Sequence, residues 1–278
     1  MIDQKILHPT TSDRVQEIRR LGSKVKGAVA FLIVGVLVFL FFGVSSGSGQ
    51  IAGKLDGYNV LLITIDTLRA DRLGVYGYDG VQTPNIDRLA VEGIRFEQVT
   101  TTVPATLPAH ASIMTGLQPF EHGVRSNGAF VLRDDVNTLA EQFVAAGYVT
   151  GSFTGTVVLD AQFGIAQGFE QFSGLAPYQR VTGDTSGERP GESVVDEAGM
   201  WIRSQSAPFF AWVHMYDPHD PYAAPEPFGS RYTDSPYDGE VAYVDAMVGR
   251  LRQVLEESGA ADNTLIILTS DHGEGLGD

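Results

Sequence analysis

The chain has no cysteine, which removes disulfides, thiolate metal sites and a cysteine nucleophile from consideration. It is also short of positive charge: 19 Lys and Arg stand against 34 Asp and Glu, a net charge of −15. A nucleic-acid binder needs a basic face, so that class is excluded. A surplus of carboxylates is instead compatible with a site for a hard cation. Internal repeats are absent, and so are long apolar runs apart from one, residues 27–44. What remains is 278 residues with 43% hydrophobic content, enough to bury a substantial core.

The one apolar run sits beside the one basic stretch. Residues 1–26 carry six basic and three acidic groups, a balance of +3, which leaves −18 for the rest. Residues 27–44 contain no charged side chain, and as a helix they reach roughly 27 Å, close to the thickness of a bilayer's hydrocarbon core. Lys24 and Lys26 lie just before the run, and no charge follows until Lys54. By the positive-inside tendency this predicts a single-pass membrane anchor, with residues 1–26 in the cytoplasm and everything after 44 periplasmic or extracellular. A cleaved signal peptide is the rival, because small residues follow the run; a buried core helix is the bland alternative. Residues 45–57 then read as a Gly/Ser-rich linker into one large domain, 58–278.

Within that domain, apolar runs of strand length alternate with helical patterns. Residues 59–65, 148–153, 208–214 and 264–269 read as strands, the first and last as strands buried on both faces. Residues 84–93, 137–147, 192–206 and 240–258 carry helical spacing. Residues 164–191, rich in Gly, Pro, Ser and Gln, read as surface loop. This alternation predicts an α/β fold with a mainly parallel sheet, right-handed crossovers and helices on both faces.

Ligands of such sheets bind beyond the carboxyl ends of the strands. Asp66 follows the first strand directly, and Asp271 with His272 follows the last. Each Asp taken singly reads as a turn residue, but together they deliver two carboxylates and an imidazole to one edge from opposite ends of the sequence. Residues 103–116 add a hydroxyl. Pro108 is suited to open a helix, which puts Thr106 just ahead of it, against unpaired N–H groups and the positive end of the helix dipole. On its own this reads as a cap. With Asp66, Asp271 and His272 it makes a mixed oxygen and nitrogen donor set suited to Zn²⁺, Mn²⁺ or Mg²⁺, and less naturally to Ca²⁺.

Six stretches resemble, in order, the motifs of the sulfatase family of the alkaline phosphatase superfamily: residues 59–77, 83–89, the Thr106 stretch, 122–127, 217–222 and 269–274. The resemblance implies an alkaline-phosphatase-like fold and a metal-dependent enzyme acting on an anionic sulfate or phosphate ester of a sugar, lipid headgroup or small molecule. It implies Asp66, Asp271 and His272 as metal ligands together with Thr106, which takes the nucleophile's place. It also implies His219 as acid and base, with His110, Arg125 and Asn127 holding substrate. Read singly, Asn127 is a turn residue, Arg125 a solvated charge and His219 a loop histidine. His122 and His214 read as structural, and Tyr76, Asp79, Asp217 and Asp220 as loop-shaping.

The sequence departs from the family at three places. The nucleophile motif reads Thr106-Leu107-Pro108-Ala109-His110 where sulfatases have Cys or Ser converted to formylglycine and, last, an arginine; threonine does not undergo that conversion. Thr67 stands where many sulfatases have a second metal carboxylate. The resemblance also implies a domain that continues past Asp278, so residues 58–278 are read as its N-terminal part. Relatives with a direct threonine nucleophile include phosphodiesterases and membrane-anchored transferases of phosphoglycerol or phosphoethanolamine. Hydrolysis and transfer therefore both stay open, as does a catalytically silent domain that binds an anionic glycan or headgroup.

Overall fold

The structure, a computed structural model, describes residues 57–183 and 187–277. The expected anchor at 27–44, with the segments on either side of it up to residue 56, lies outside the described residues. Among the described residues no helix is long and apolar enough to cross a membrane.

Five strands and eight α-helices alternate along the described chain: β1 (Asn59–Ile65), α1 (Pro84–Glu92), α2 (Thr106–Thr115), α3 (Pro119–His122), α4 (Leu139–Ala145), β2 (Val149–Thr154), β3 (Gln171–Ser173), α5 (Leu175–Thr182), α6 (Gly191–Arg203), β4 (Phe209–Met215), α7 (Phe228–Arg231), α8 (Pro236–Glu257) and β5 (Thr264–Ser270). The strands form one sheet in the order β3-β2-β4-β1-β5, and every pairing is parallel. This is the α/β architecture the alternation predicts. Parallel strands need crossovers, and the helices that supply them cover both faces.

The two faces differ in chemistry because strand residues alternate sides. Leu61, Ile63 and Ile65 of β1 and Phe209, Ala211, Val213 and Met215 of β4 pack with Val194, Val195 and Ala198 of α6 and with Val241, Val244, Val248 and Leu251 of α8, in one apolar core. The alternate residues face the other way. Thr64 of β1, Trp212 and His214 of β4, and Thr150, Ser152 and Thr154 of β2 are all buried. On that side the Phe143 ring of α4 stacks on Phe210 at 4.5 Å, and His110 of α2 lies 5.4 Å from Trp212 between ring centres. One face is a hydrophobic core; the other is lined with groups that need hydrogen bonds.

The structure corrects several boundaries. Residues 164–191 are not loop throughout: they contain β3 and α5. β3 is three residues long and sits at the sheet edge, too short for periodicity to reveal. Helix α2 begins at Thr106 itself, with Ala105 as its cap, so Pro108 is the third helical residue rather than the first. A proline is tolerated there because the missing N–H lies in the first turn, where it has no intrahelical partner. Helix α8 starts at Pro236, four residues before the expected Glu240, with proline in its first turn. Helix α4 is capped by Thr138, in a reciprocal box with Glu141, not by Asn137.

Helix α1 is capped from a distance. Thr83 precedes it without capping it, and the exposed N–H groups of Asn85 and Ile86 donate instead to Asp245 Oδ1 of α8, at 3.0 and 2.8 Å. Removing that acceptor strands two donors at a buried helix end. Asp245→Ala is therefore expected to cost about 1–3 kcal/mol of stability in urea denaturation. Turnover per folded molecule should not change.

Candidate functional site

The carboxyl ends of β1 and β5 are neighbours in the sheet, with Ile65 paired to Ser270, so the residues that follow them emerge side by side. Asp66 and Asp271 are both buried. Asp271 Oδ1 accepts from the backbone N–H of His272 at 2.8 Å and of Thr67 at 3.2 Å. The second bond depends on the backbone of Thr67, whose φ of 55° is left-handed and sparsely populated for a β-branched residue. Tyr237 of α8 holds that turn, donating its hydroxyl to Thr67 O at 2.8 Å and accepting from Arg69 N at 2.9 Å.

The remaining carboxylate oxygens have no such support. Asp66 Oδ1 and Oδ2 and Asp271 Oδ2 are buried without a hydrogen-bond partner. His272 Nε2 faces them, 3.6 Å from Asp66 Oδ1 and 3.4 Å from Asp271 Oδ2. The same nitrogen lies 3.4 Å from Thr106 Oγ1. His272 Nδ1 is 3.0 Å from Gly273 O; a carbonyl only accepts, so Nδ1 carries a proton, and in the neutral ring Nε2 is the atom with a lone pair for the side that faces the acids and the hydroxyl. Burial raises the Asp66 carboxyl to about 6, against the lowering influence of His272, His219 and the Thr106 hydroxyl. Burial, and then the neighbouring Asp66, raise Asp271 as well.

Two groups of donor atoms converge closely enough to hold a cation: Asp66, Asp271 and His272, and separately His110, His214 and Asp271. The hydrogen bonds choose between them. His110 Nδ1 is 2.8 Å from Thr106 O, and its Nε2 is 3.0 Å from Thr64 Oγ1, so Nδ1 is committed as a donor and has no lone pair to offer. The first group has unpartnered buried oxygens and a free imidazole lone pair, with a hydroxyl beside it. Desolvated carboxylates without partners are costly unless a countercharge meets them. A divalent cation would supply that charge to the donor types present.

The expected substrate residues have different fates. His110 is fully buried with both ring nitrogens engaged, and burial lowers its pKa to about 3. It stands behind Thr106 as part of the core, which corrects its expected place among the substrate-holding groups. Asn127 Oδ1 accepts from Leu107 N of α2 at 2.9 Å. This bond identifies the other amide atom as a donor and leaves it unused on an exposed residue. Arg125 is exposed and makes no hydrogen bond or ion pair among the described residues. His219 is half-buried and stacks on Tyr216 at 4.4 Å. Its Nδ1 is 2.6 Å from Asp220 O, so Nε2 is the atom left to exchange a proton.

His122 is structural, as expected, bonded to Ser112 Oγ and Val124 N. His214, also expected to be structural, instead sits under the acids with Nε2 3.5 Å from Asp66 Oδ2. Burial lowers its pKa to about 4. The available signal was its place in β4: a histidine in an otherwise apolar strand, two residues after Trp212 on the same face.

Two acids, the half-buried Asp217 and the buried Glu240, brace the loop that carries His219. Asp217 Oδ2 accepts from Gly191 N at 2.9 Å, and Glu240 Oε1 from Ala223 N at 2.6 Å. Burial raises Asp217 to about 6 and Glu240 to about 7, and the nearby Asp217 carboxylate raises Glu240 further.

The sulfatase family model matches residues 58–278. An arylsulfatase of Clostridium perfringens is 25% identical over 79% of this chain and 64% of its own length. Human arylsulfatase A is 27% identical over 77% of this chain and 52% of its own length. Among solved structures, the phosphonate monoester hydrolase of Agrobacterium radiobacter superposes with a TM-score of 0.69 at 25% identity, covering 80% of this chain and 64% of that one. The chain thus spans roughly half to two thirds of the length of these relatives.

Glu240 yields a prediction with a definite sign. Its folded pKa of about 7 lies above the ordinary 4.5, so between those values the unfolded chain loses its proton first and the native state loses stability as pH rises. Glu240→Gln keeps the acceptor for Ala223 N and removes the charge. It is expected to stabilise the protein by on the order of 2 kcal/mol at pH 8, with the gain vanishing near pH 4, as read from thermal melts across that range.

Proposed function

The chain belongs to the sulfatase family, and on that footing we propose that it cleaves phosphate or sulfate esters through a covalent intermediate on Thr106. The observation that carries the reading is the placement of the Thr106 hydroxyl 3.4 Å from His272 Nε2, beside two buried carboxylates with unpartnered oxygens. Asp66, Asp271 and His272 would hold a divalent cation, with Thr106 as the fourth ligand. Such an ion, when bound, supplies Lewis-acid charge that favours ionisation of a hydroxyl and takes up negative charge from an ester oxygen. Mn²⁺, Zn²⁺ and Mg²⁺ suit the donors better than Ca²⁺ because of the imidazole.

The protein's own groups then have the following tasks. Thr106 Oγ1, in the first turn of α2, is in the favourable field of a helix N-terminus for an anion. Its proton having passed to solvent, the Thr106 oxyanion attacks the phosphorus or sulfur, forming an O–P or O–S bond while the bond to the leaving oxygen breaks, and it departs again as the oxyanion when the ester is released. The His219 imidazolium gives its Nε2 proton to that leaving oxygen. His219 Nε2 then takes a proton from the attacking water, or from an acceptor alcohol, as the threonyl ester is released. Asn127, its carbonyl fixed on Leu107 N, donates its amide N–H to a non-bridging oxygen, and Arg125 pairs with the anionic ester. Threonine has no route to formylglycine, so the nucleophile is the hydroxyl itself. The presence of a phosphonate monoester hydrolase among the similar structures favours testing phosphorus esters first. We further read residues 27–44 as a membrane anchor that holds the domain outside the cytoplasm, on the strength of their uncharged sequence and the basic residues before them.

Assays with aryl phosphate mono- and diesters and aryl sulfate, with each of Mn²⁺, Zn²⁺, Mg²⁺ and Ca²⁺, test this directly. Thr106→Ala and Asp271→Asn are expected to lower kcat by about 10³-fold or more, and chelation should abolish turnover until metal is returned. Mass spectrometry of acid-quenched enzyme should find the added group on Thr106. Wild-type turnover in Thr106→Ala would show that the nucleophile lies elsewhere.

A further inference from the structure

Behind Thr106 runs a buried chain of hydrogen bonds that the chemistry above does not use. Trp212 Nε1 of β4 donates to Thr64 Oγ1 of β1 at 2.9 Å. Thr64 Oγ1 meets His110 Nε2 of α2 at 3.0 Å, and His110 Nδ1 meets the Thr106 carbonyl at 2.8 Å. All four residues are buried. The direction of the chain is settled at both ends. An indole N–H only donates and a carbonyl only accepts. His110 Nδ1 therefore carries a proton; in the neutral ring Nε2 is bare, and the Thr64 hydroxyl donates to it.

This chain ties α2, which carries Thr106, to two neighbouring strands, β4 and β1, the second of which leads into Asp66. Thr64 is two residues before Asp66, which directly follows that strand and still pairs with β4 through Asp66 N and Met215 O at 3.0 Å, so the two side chains share a face. Trp212 bears the same relation to His214, and Thr64 pairs with His214 in the register of β1 and β4. His110 is one turn along α2 from Thr106 and bonds back to that residue's own backbone. The link thus connects the strand that delivers the first carboxylate to the residue that delivers the hydroxyl, through a neutral ring in a fixed tautomer.

We propose that His110, through Thr64 and Trp212, is a positioning residue that sets the height and rotation of the first turn of α2. It thereby keeps Thr106 Oγ1 in line with the Asp66 and Asp271 carboxylates. The inference rests on the reading of Thr106 as nucleophile. It assigns His110 a task different from holding substrate: His110 touches no reacting atom and acts through the Thr106 backbone. A small displacement of a nucleophile is enough to cost one to two orders of magnitude in rate.

The test uses the full chain and an aryl ester that the wild type turns over. Thr64→Val removes the hydroxyl with little change of shape, and Thr64→Ser restores it. His110→Asn keeps an N–H where Nδ1 stands, and His110→Leu does not. The expected result for Thr64→Val is a fall in kcat of about tenfold or more, with KM and the affinity for Mn²⁺ alone, measured by calorimetry, unchanged. Thr64→Ser should recover most of the rate, and His110→Asn should retain more of it than His110→Leu. A purely structural role would lower the melting temperature of Thr64→Val and leave kcat per folded molecule at the wild-type value; that result overturns the proposal. Nitrogen NMR of wild-type His110 is independent of turnover: Nδ1 must be protonated and Nε2 bare, and the opposite tautomer also overturns it. Thr106→Ala serves as the reference. If it turns over normally, the underlying reading fails; if it is inactive while Thr64→Val and His110→Leu are unimpaired, only the positioning role fails.

Discussion

Two carboxylates that between them leave three oxygens without a partner, buried next to each other at the end of a parallel sheet, are the constraint around which this structure is arranged. Asp66 and Asp271 leave three oxygens unpartnered, and each acid raises the cost of ionising the other. A fold selected for stability alone would not keep that arrangement, because burying polar groups without partners is among the larger penalties a protein can incur. Its upkeep is visible nearby. Thr67 takes a left-handed backbone so that its N–H reaches Asp271, and Tyr237 closes over the turn from α8. His272 commits one nitrogen to Gly273 O so that the other faces the acids. Each feature makes sense if a cation completes the group.

The sheet makes the arrangement possible by separating two tasks. One face, packed under α6 and α8, is uniformly apolar and supplies the hydrophobic stabilisation. The other carries threonine, tryptophan and histidine beneath α2, each placed by the two-residue period of the strands. Polar groups on that face are held by one another, as the Trp212, Thr64 and His110 contacts show. Since β1 and β5 are adjacent and parallel, residues 66 and 271 emerge together although more than two hundred positions separate them. Helix α2 then presents its first turn to the same point.

Much of this could be read from the residues. The strand runs at 59–65 and 264–269 lead into the two acids that the sheet brings together, and the alternation of strands and helices sufficed for the parallel sheet. What escaped the sequence depended on packing. His110 looked suited to bind substrate because its motif position follows Thr106, but a helical residue four positions on lies on the face that meets the sheet. His214 looked structural because a lone histidine gives no sign of which strand neighbours it will meet. Its approach to Asp66 follows only once β4 is known to pair with β1. The segment 164–191 was taken for loop because a three-residue edge strand and a short helix offer too few residues for a period to show. The start of α2 was displaced by two residues because Pro108 is equally at home anywhere in a first turn whose donors lack intrahelical partners.

The central claim is that Asp66, Asp271, His272 and Thr106 share one cation. An anomalous difference map from a crystal grown with Mn²⁺ tests it most directly. The account predicts a peak at coordination distance, about 2.0–2.4 Å, from a carboxylate oxygen of each aspartate and from His272 Nε2, with Thr106 Oγ1 turned toward it. A map with no peak between those residues, or with Mn²⁺ bound at His110 and His214 instead, would contradict it.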